Sequence, residues 1–160
     1  MASESLYALR TKTLEGKDVD LKEYEGKVAL VVNVASECGN TPQYAGLEKL
    51  YQEFRGRDFV VLGFPSNDFG KQEPGSAKEI REFCSTKYRV TFPLFEKVVT
   101  RAGQEQSPIY GNLGGQAGGK LPEWNFAKYL VDKSGKVIKR YKASLPPEDA
   151  ALRRDIEAAL

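Results

Sequence analysis

Apolar and polar positions along this chain follow two periods, and the changes between them mark the elements. Val28 to Val34 is an almost unbroken apolar run rich in valine, the pattern of a strand buried on both faces. Leu47, Leu50, Tyr51 and Phe54 then fall at i, i+3, i+4 and i+7, the stripe of an amphipathic helix, which Gly56 closes. Phe59 to Phe64 predicts a second buried strand. Ser76 followed by Glu79 has the spacing of a capping box, so a helix is predicted over Ala77 to Tyr88, with Ile80, Phe83, Cys84 and Tyr88 on its apolar face. Phe92 to Val99 predicts a third strand. Trp124 to Asp132 and Lys136 to Tyr141 flank the turn Lys133-Ser134-Gly135 and predict a hairpin. A last helix is predicted from Pro147, with Glu148 and Asp149 in its first turn and Leu152, Ile156 and Leu160 inward. Near the start, Leu6, Ala8, Leu14 and Val19 to Leu21 alternate loosely about Glu15-Gly16, predicting a short hairpin on a sheet edge. Gly70 to Gly75 and Gly111 to Pro122 read as looser stretches.

Strand, helix, strand, helix, strand, hairpin, helix is an α/β order, with helices on both faces of a mixed sheet. The chain's 160 residues suit one domain over 1–160. Charge is nearly balanced, 24 Lys+Arg against 22 Asp+Glu, which gives no argument for binding nucleic acid or an anionic membrane. No apolar run approaches the ~20 residues that span a bilayer. The N-terminus lacks a basic region followed by an apolar one, so the reading is a cytoplasmic protein.

A zero in the composition narrows the chemistry further. The chain has no histidine and two cysteines, which excludes a Ser–His–Asp triad, a Cys–His pair and a histidine or four-thiolate zinc site. No metal and no cofactor is expected. Both cysteines could be small buried hydrophobes. Cys38, however, falls between the first central strand and the first helix, where unpaired amide N–H groups favour negative charge, and a thiolate is the reactive form of a thiol.

A reactive cysteine at that point is the thioredoxin-like layout. Cys-x-x-Cys, which a thiol-disulfide oxidoreductase carries there, is replaced by Cys38-Gly39-Asn40-Thr41, and the threonine a peroxiredoxin places three residues earlier is Ala35. Three blocks instead resemble the glutathione peroxidase family in its cysteine form: NVASECGNTPQY from Asn33, LGFPSNDFGKQEPG from Leu62, and WNFAKYLVD from Trp124. The resemblance runs from about Tyr7 to Leu160. It implies a thioredoxin-like fold and a thiol peroxidase acting on hydrogen peroxide and organic hydroperoxides. It also implies a catalytic set of Cys38, Gln72, Trp124 and Asn125, in which neutral donors stabilise the thiolate and assist the leaving oxygen. Residue by residue, Trp124 could instead be core and Gln72 a solvated loop residue.

The chain departs from the family's common FPCNQFG, carrying Ser66 and Asp68 in place of the cysteine and glutamine. Asp68 brings a negative charge that either disfavours the thiolate or is solvated away. Cys84 matches the resolving cysteine of thioredoxin-dependent members, which implies an intramolecular disulfide that thioredoxin reduces; direct reduction by glutathione is the alternative. Cys84 also lies on an apolar helix face, so it could be inert core, and resolution requires local opening of that helix. The short, glycine-rich stretch before Trp124, where tetrameric members carry an insertion, implies a monomer. A peroxide sensor that passes its oxidation to a partner would use the same cysteines, and a binding module with an inert thiol is the remaining reading.

Overall fold

The structure, a computed structural model, describes residues 4–160. Two fully buried parallel strands, β3 (Val28–Val34) and β4 (Phe59–Pro65), pair in a four-stranded sheet, β4 at its edge. They are completed by β5 (Lys128–Val131), antiparallel to β3, and β6 (Val137–Tyr141), antiparallel to β5, in the order β4-β3-β5-β6. The helices are α1 (Gln43–Phe54), α2 (Ala77–Lys87), α3 (Pro108–Gln116) and α4 (Ala150–Ala159). Strand alternation sorts the core into two layers. Val28, Leu30, Val32 and Val34 meet residues of α1, α2 and α4. Ala29 and Val31 meet Ile109, Tyr110 and Leu113 of α3, with Leu6 and Tyr7 of the N-terminal segment. The fold is thioredoxin-like, with helices on both faces of a mixed sheet as the pattern predicts.

Several expectations are corrected. The N-terminal hairpin, β1 (Arg10–Lys12) paired with β2 (Asp18–Asp20), is a separate two-stranded sheet rather than an edge of the central one. It docks through the Leu14 N–H on the Leu94 carbonyl and the Glu96 N–H on the Lys12 carbonyl, both 3.0 Å. Phe92 to Val99 is not a strand. It meets β4 through an isolated bridge between Gly63 and Leu94 and a hydrogen bond from the Val98 N–H to the Pro65 carbonyl, and no ladder extends through it, in keeping with Pro93, which cannot donate to one. Gly63 makes this close approach possible, since a Cβ there would lie 2.8 Å from the Leu94 side chain.

The glycine-rich stretch from Gly111, read as loose, begins inside a helix, α3. Ser107 caps it, Pro108 occupies its first turn and Ile109, Tyr110 and Leu113 are buried; these start signals outweigh three internal glycines. At the C-terminus, Asp149 is the cap of α4 and not part of its first turn, its carboxylate accepting from Ala151 and Leu152. Past α1, Gly56 lies in a short 3₁₀ turn, and Asp58 takes the left-handed conformation. The capping box of Ser76 and Glu79 forms as read from the sequence.

Candidate active site

Cys38 follows the carboxyl end of β3 in a turn that precedes α1 by several residues. Thr41 builds this turn. Its Oγ1 accepts from the Cys38 N–H and donates to the Ala35 carbonyl, both at 2.8 Å. The Asn40 N–H points at the Cys38 Sγ, 3.2 Å away. The donor on the sulfur is therefore an amide of this turn, not the first turn of α1. Cys38 is 8% exposed and packs with Val34, Ala35 and Tyr44, so a narrow face of it meets solvent.

The second block reaches the same place. Gly70 and Lys71 both have positive φ, and a Cβ on Gly70 would lie 3.2 Å from the Trp124 ring and 3.3 Å from Gln72. Glycine is needed there to let the loop double back. Behind the doubled turn, the Gln72 carbonyl accepts from the Glu37 N–H at 3.0 Å. The Glu73 carboxylate accepts from the Ser36 N–H at 3.1 Å. Gln72 and its neighbour thus brace the two residues just ahead of Cys38.

The third block supplies Trp124 and Asn125 from a turn before β5, not from a strand as the pattern suggested. Phe126 sits at φ 74°, and its N–H donates to the Asn33 carbonyl at 2.6 Å. Asn33, the polar break in β3, donates in return to the Trp124 carbonyl at 3.0 Å. This turn aims the Asn125 Nδ2 at the Gln72 Oε1, 3.0 Å away, while the Asn125 carbonyl accepts from the Asn40 side chain at 3.3 Å. Gln72, Asn125 and the Cys38 turn, remote in sequence, form one hydrogen-bonded group. Trp124 is 38% exposed, so it is not core; its ring lies 5.7 Å from that of Phe69. Among the described residues the hydrogen bond to the sulfur comes from Asn40, and the side chains of Gln72, Trp124 and Asn125 make none.

Asp68 does not face the sulfur through a free carboxylate. It accepts from the backbone and hydroxyl of Thr100, at 2.6 and 2.8 Å, which turns its charge to the segment between α2 and α3. Ser66 is buried and its Oγ accepts from the Asp68 N–H. Cys84 is fully buried in α2, with no disulfide to Cys38, and burial pushes its thiol up to about 11.

Two charged residues near the site went unread in the sequence. Glu73 is fully buried, and burial pushes its carboxyl up to about 7. Lys128 is also fully buried, its ammonium donating to the Phe126 and Ala143 carbonyls at 2.6 and 3.2 Å. It ties down the strained turn that carries Trp124 and Asn125. A lysine inside the buried run after Phe126 was the available signal, because lysine is rarely buried without a partner.

Burial lowers Lys128 to about 7. The unfolded chain therefore binds its proton more tightly between about pH 7 and its ordinary range, and folding stability from this group rises with pH across that window. Wild type is expected to gain about 2–4 kcal/mol over Lys128→Met between pH 7 and pH 10. Denaturant unfolding of both proteins at each pH checks this, and a difference independent of pH contradicts it.

A thioredoxin-like fold with one cysteine at the strand end, a backbone donor on its sulfur and amide side chains around it defines a thiol enzyme that lacks a neighbouring second cysteine. Residues 6–114 match the family model described as glutathione peroxidase. A hydroperoxy fatty acid reductase of Synechocystis is 47% identical, covering 99% of this chain and 98% of that protein. A glutathione peroxidase-like peroxiredoxin of Chlamydomonas reinhardtii is also 47% identical, over 100% of this chain and 99% of that one. The crystal structure of Trgpx in its apo form is 36% identical, with a TM-score of 0.77 over 98% of this chain and 96% of that chain. This chain belongs to the glutathione peroxidase family.

Proposed function

We propose that this protein is a thiol peroxidase in which the Cys38 thiolate attacks one oxygen of a hydroperoxide. The sulfur becomes sulfenic acid, and the other oxygen leaves as water or an alcohol. The observation that carries this reading is the convergence of three separate segments on the Cys38 turn, with the Asn40 N–H on the sulfur and the Gln72–Asn125 pair hydrogen-bonded beside it. Gln72 retains its amide N–H groups for a peroxide oxygen, and the indole N–H of Trp124 is a further neutral donor. The exposed ring of Trp124, beside Phe69, offers apolar surface to the chain of an organic hydroperoxide, in keeping with the name of the Synechocystis relative.

Cys84 then attacks the sulfenic sulfur, and thioredoxin reduces the resulting disulfide. Support comes from its place on α2, whose residues Ile80 and Phe83 border the same cleft as Ser36 and Glu37 of the Cys38 turn. The enzyme acts as a single domain over 1–160, monomeric and cytoplasmic, without metal or cofactor. Two free cysteines suit a reducing compartment. Among the described residues no helix is long and apolar enough to cross a membrane.

The test is NADPH-coupled peroxide consumption, run in parallel with thioredoxin plus its reductase and with glutathione plus its reductase. Sustained turnover is expected with thioredoxin and at least tenfold slower turnover with glutathione. The reverse order assigns glutathione as reductant and leaves Cys84 without this role. Near-stoichiometric oxidation with no steady-state rate in either system makes the protein a sensor.

A further inference from the structure

Glu73 is a carboxylate set between the two cysteine-bearing segments and tied to the first of them. One of its oxygens holds the Ser36 N–H, two residues before Cys38. Its other oxygen is buried with no hydrogen-bond partner. The residue lines a cleft of about 400 Å³ whose far wall is α2, through Glu79, Ile80 and Phe83. Cys84 is one helical turn beyond Ile80. Tyr44 of α1 is fully buried, and its hydroxyl interacts electrostatically with Glu73 and lies against the Cys84 thiol within hydrogen-bonding reach. An orphaned buried carboxylate oxygen costs free energy that an apolar residue would avoid, so its placement calls for a reason. The cleft thus lies between Ser36 and Glu37, just ahead of Cys38, and the face of α2 next to Cys84.

We propose that the Glu73 carboxylate takes the thiol proton of Cys84 as that cysteine attacks the sulfenic sulfur of Cys38. The proposal rests on the reading of Cys84 as the resolving cysteine. The Cys84 S–H bond breaks and its electron pair forms the S–S bond. The S–O bond of the Cys38 sulfenic acid breaks, and the departing hydroxide takes the proton back from Glu73 as water. Cys84 sulfur is oxidised and Cys38 sulfur is reduced, so no reagent beyond the hydroperoxide that made the sulfenic acid is consumed.

The chemistry suits the group. Burial raises the Glu73 carboxyl to about 7, which makes its anion a stronger base than an ordinary carboxylate and leaves much of it ionised near neutral pH. The charged and titratable neighbours set against it are Glu37, which raises it further, Lys97, which lowers it, and Tyr44 and Cys84 on the helix side; Glu79 shares the cleft. Burial holds the closed Cys84 thiol near 11, and exposure on opening returns it toward the usual thiol range, where transfer to Glu73 becomes accessible.

The experiment separates the two chemical steps. Reduced full-length protein is mixed with one equivalent of hydrogen peroxide, quenched with an alkylating agent at intervals and weighed intact, from pH 5.5 to 8.5. In wild type, disulfide formation is expected to rise with pH through a midpoint near 7 and then level off. In Glu73→Gln it is expected to slow at least tenfold more than Cys38 oxidation does and to lose that midpoint, with Glu73→Asp restoring part of both. A wild-type rate that keeps rising about tenfold per pH unit through pH 8 assigns the titration to the Cys84 thiol alone and overturns the proposal, whether or not Glu73→Gln folds. Equal disulfide rates and midpoints in wild type and Glu73→Gln also overturn it while leaving Cys84 as the resolving residue. Absence of any Cys38–Cys84 disulfide in wild type instead removes the resolving role and the proposal with it.

Discussion

Cys38→Ser is expected to leave less than about 1% of the hydroperoxide-reducing activity, because a serine hydroxyl is a weak nucleophile without an adjacent base and this chain has no histidine to serve as one. The surrounding donors remain in place, so residual rate measures what they supply without the sulfur. The folded state is expected to tolerate the change. The backbone N–H of residue 38 keeps its bond to Thr41 and the turn keeps its bond to Ala35. The strand-end position alone suggests a thiol that packs little, yet the structure buries it among Val34, Ala35 and Tyr44. A loss of about 1 kcal/mol, or roughly 2–4 °C in Tm for a chain of this size, is therefore expected. Coupled peroxide consumption and thermal unfolding of the purified variant decide the matter. Activity above a few per cent of wild type removes Cys38 from the chemistry.

Cys84→Ser is expected to permit one oxidation of Cys38 and then stall with thioredoxin as reductant. Cys84 is fully buried on the inner side of α2, in one core layer with Ile80 and Tyr44, and no disulfide joins it to Cys38. Helix residues do not move into bonding range without melting, because a disulfide requires Cα atoms within about 7 Å. Opening one or two turns of α2 costs a few kcal/mol of packing, which oxidation under peroxide can offset. The end of α2 is suited to this. Lys87 is its last residue, Arg89 follows at positive φ, and Glu82, Ser85 and Thr86 face outward with little burial. No other cysteine is available, since Ser66 occupies the family's alternative position. Peptide mapping after one equivalent of peroxide gives the answer. Wild type should yield a Cys38–Cys84 disulfide and the variant a Cys38 sulfenic or sulfinic acid. Free Cys84 in oxidised wild type makes it core and turns attention to glutathione.

The parts of this protein that were legible in its sequence are those set by short-range pattern. The valine run of β3, the stripe of α1, the capping box of α2 and the apolar run of β4 each encode their state within a few residues, where burial period and cap chemistry decide. Two misreadings came from elements whose state depends on what they pack against. Phe92 to Val99 has strand composition but meets β4 through an isolated bridge rather than a ladder, and α3 forms across glycines because its buried face closes the second core layer. The reactive residue types were legible too, since three blocks and the lack of histidine confine the chemistry to a thiol and neutral donors.

Their arrangement was not legible. Nothing local in Gln72 or Asn125 states that their side chains meet at 3.0 Å. That pairing depends on left-handed backbone at Gly70, Lys71 and Phe126, and on Asn33 anchoring the Trp124 turn from the neighbouring strand. Asp68 looked like a charge near the sulfur, and only the chain's return at Thr100 gave it partners. Nothing in their residue type marks Glu73 or Lys128 as buried, because burial is a property of what surrounds a residue and not of its type. Local pattern thus sets β3, β4, α1 and the start of α2, the α/β class and the thiol. The tertiary structure alone decided which amide stands on the sulfur, which polar groups are withdrawn from water, and therefore which of them have their proton affinities moved toward neutrality.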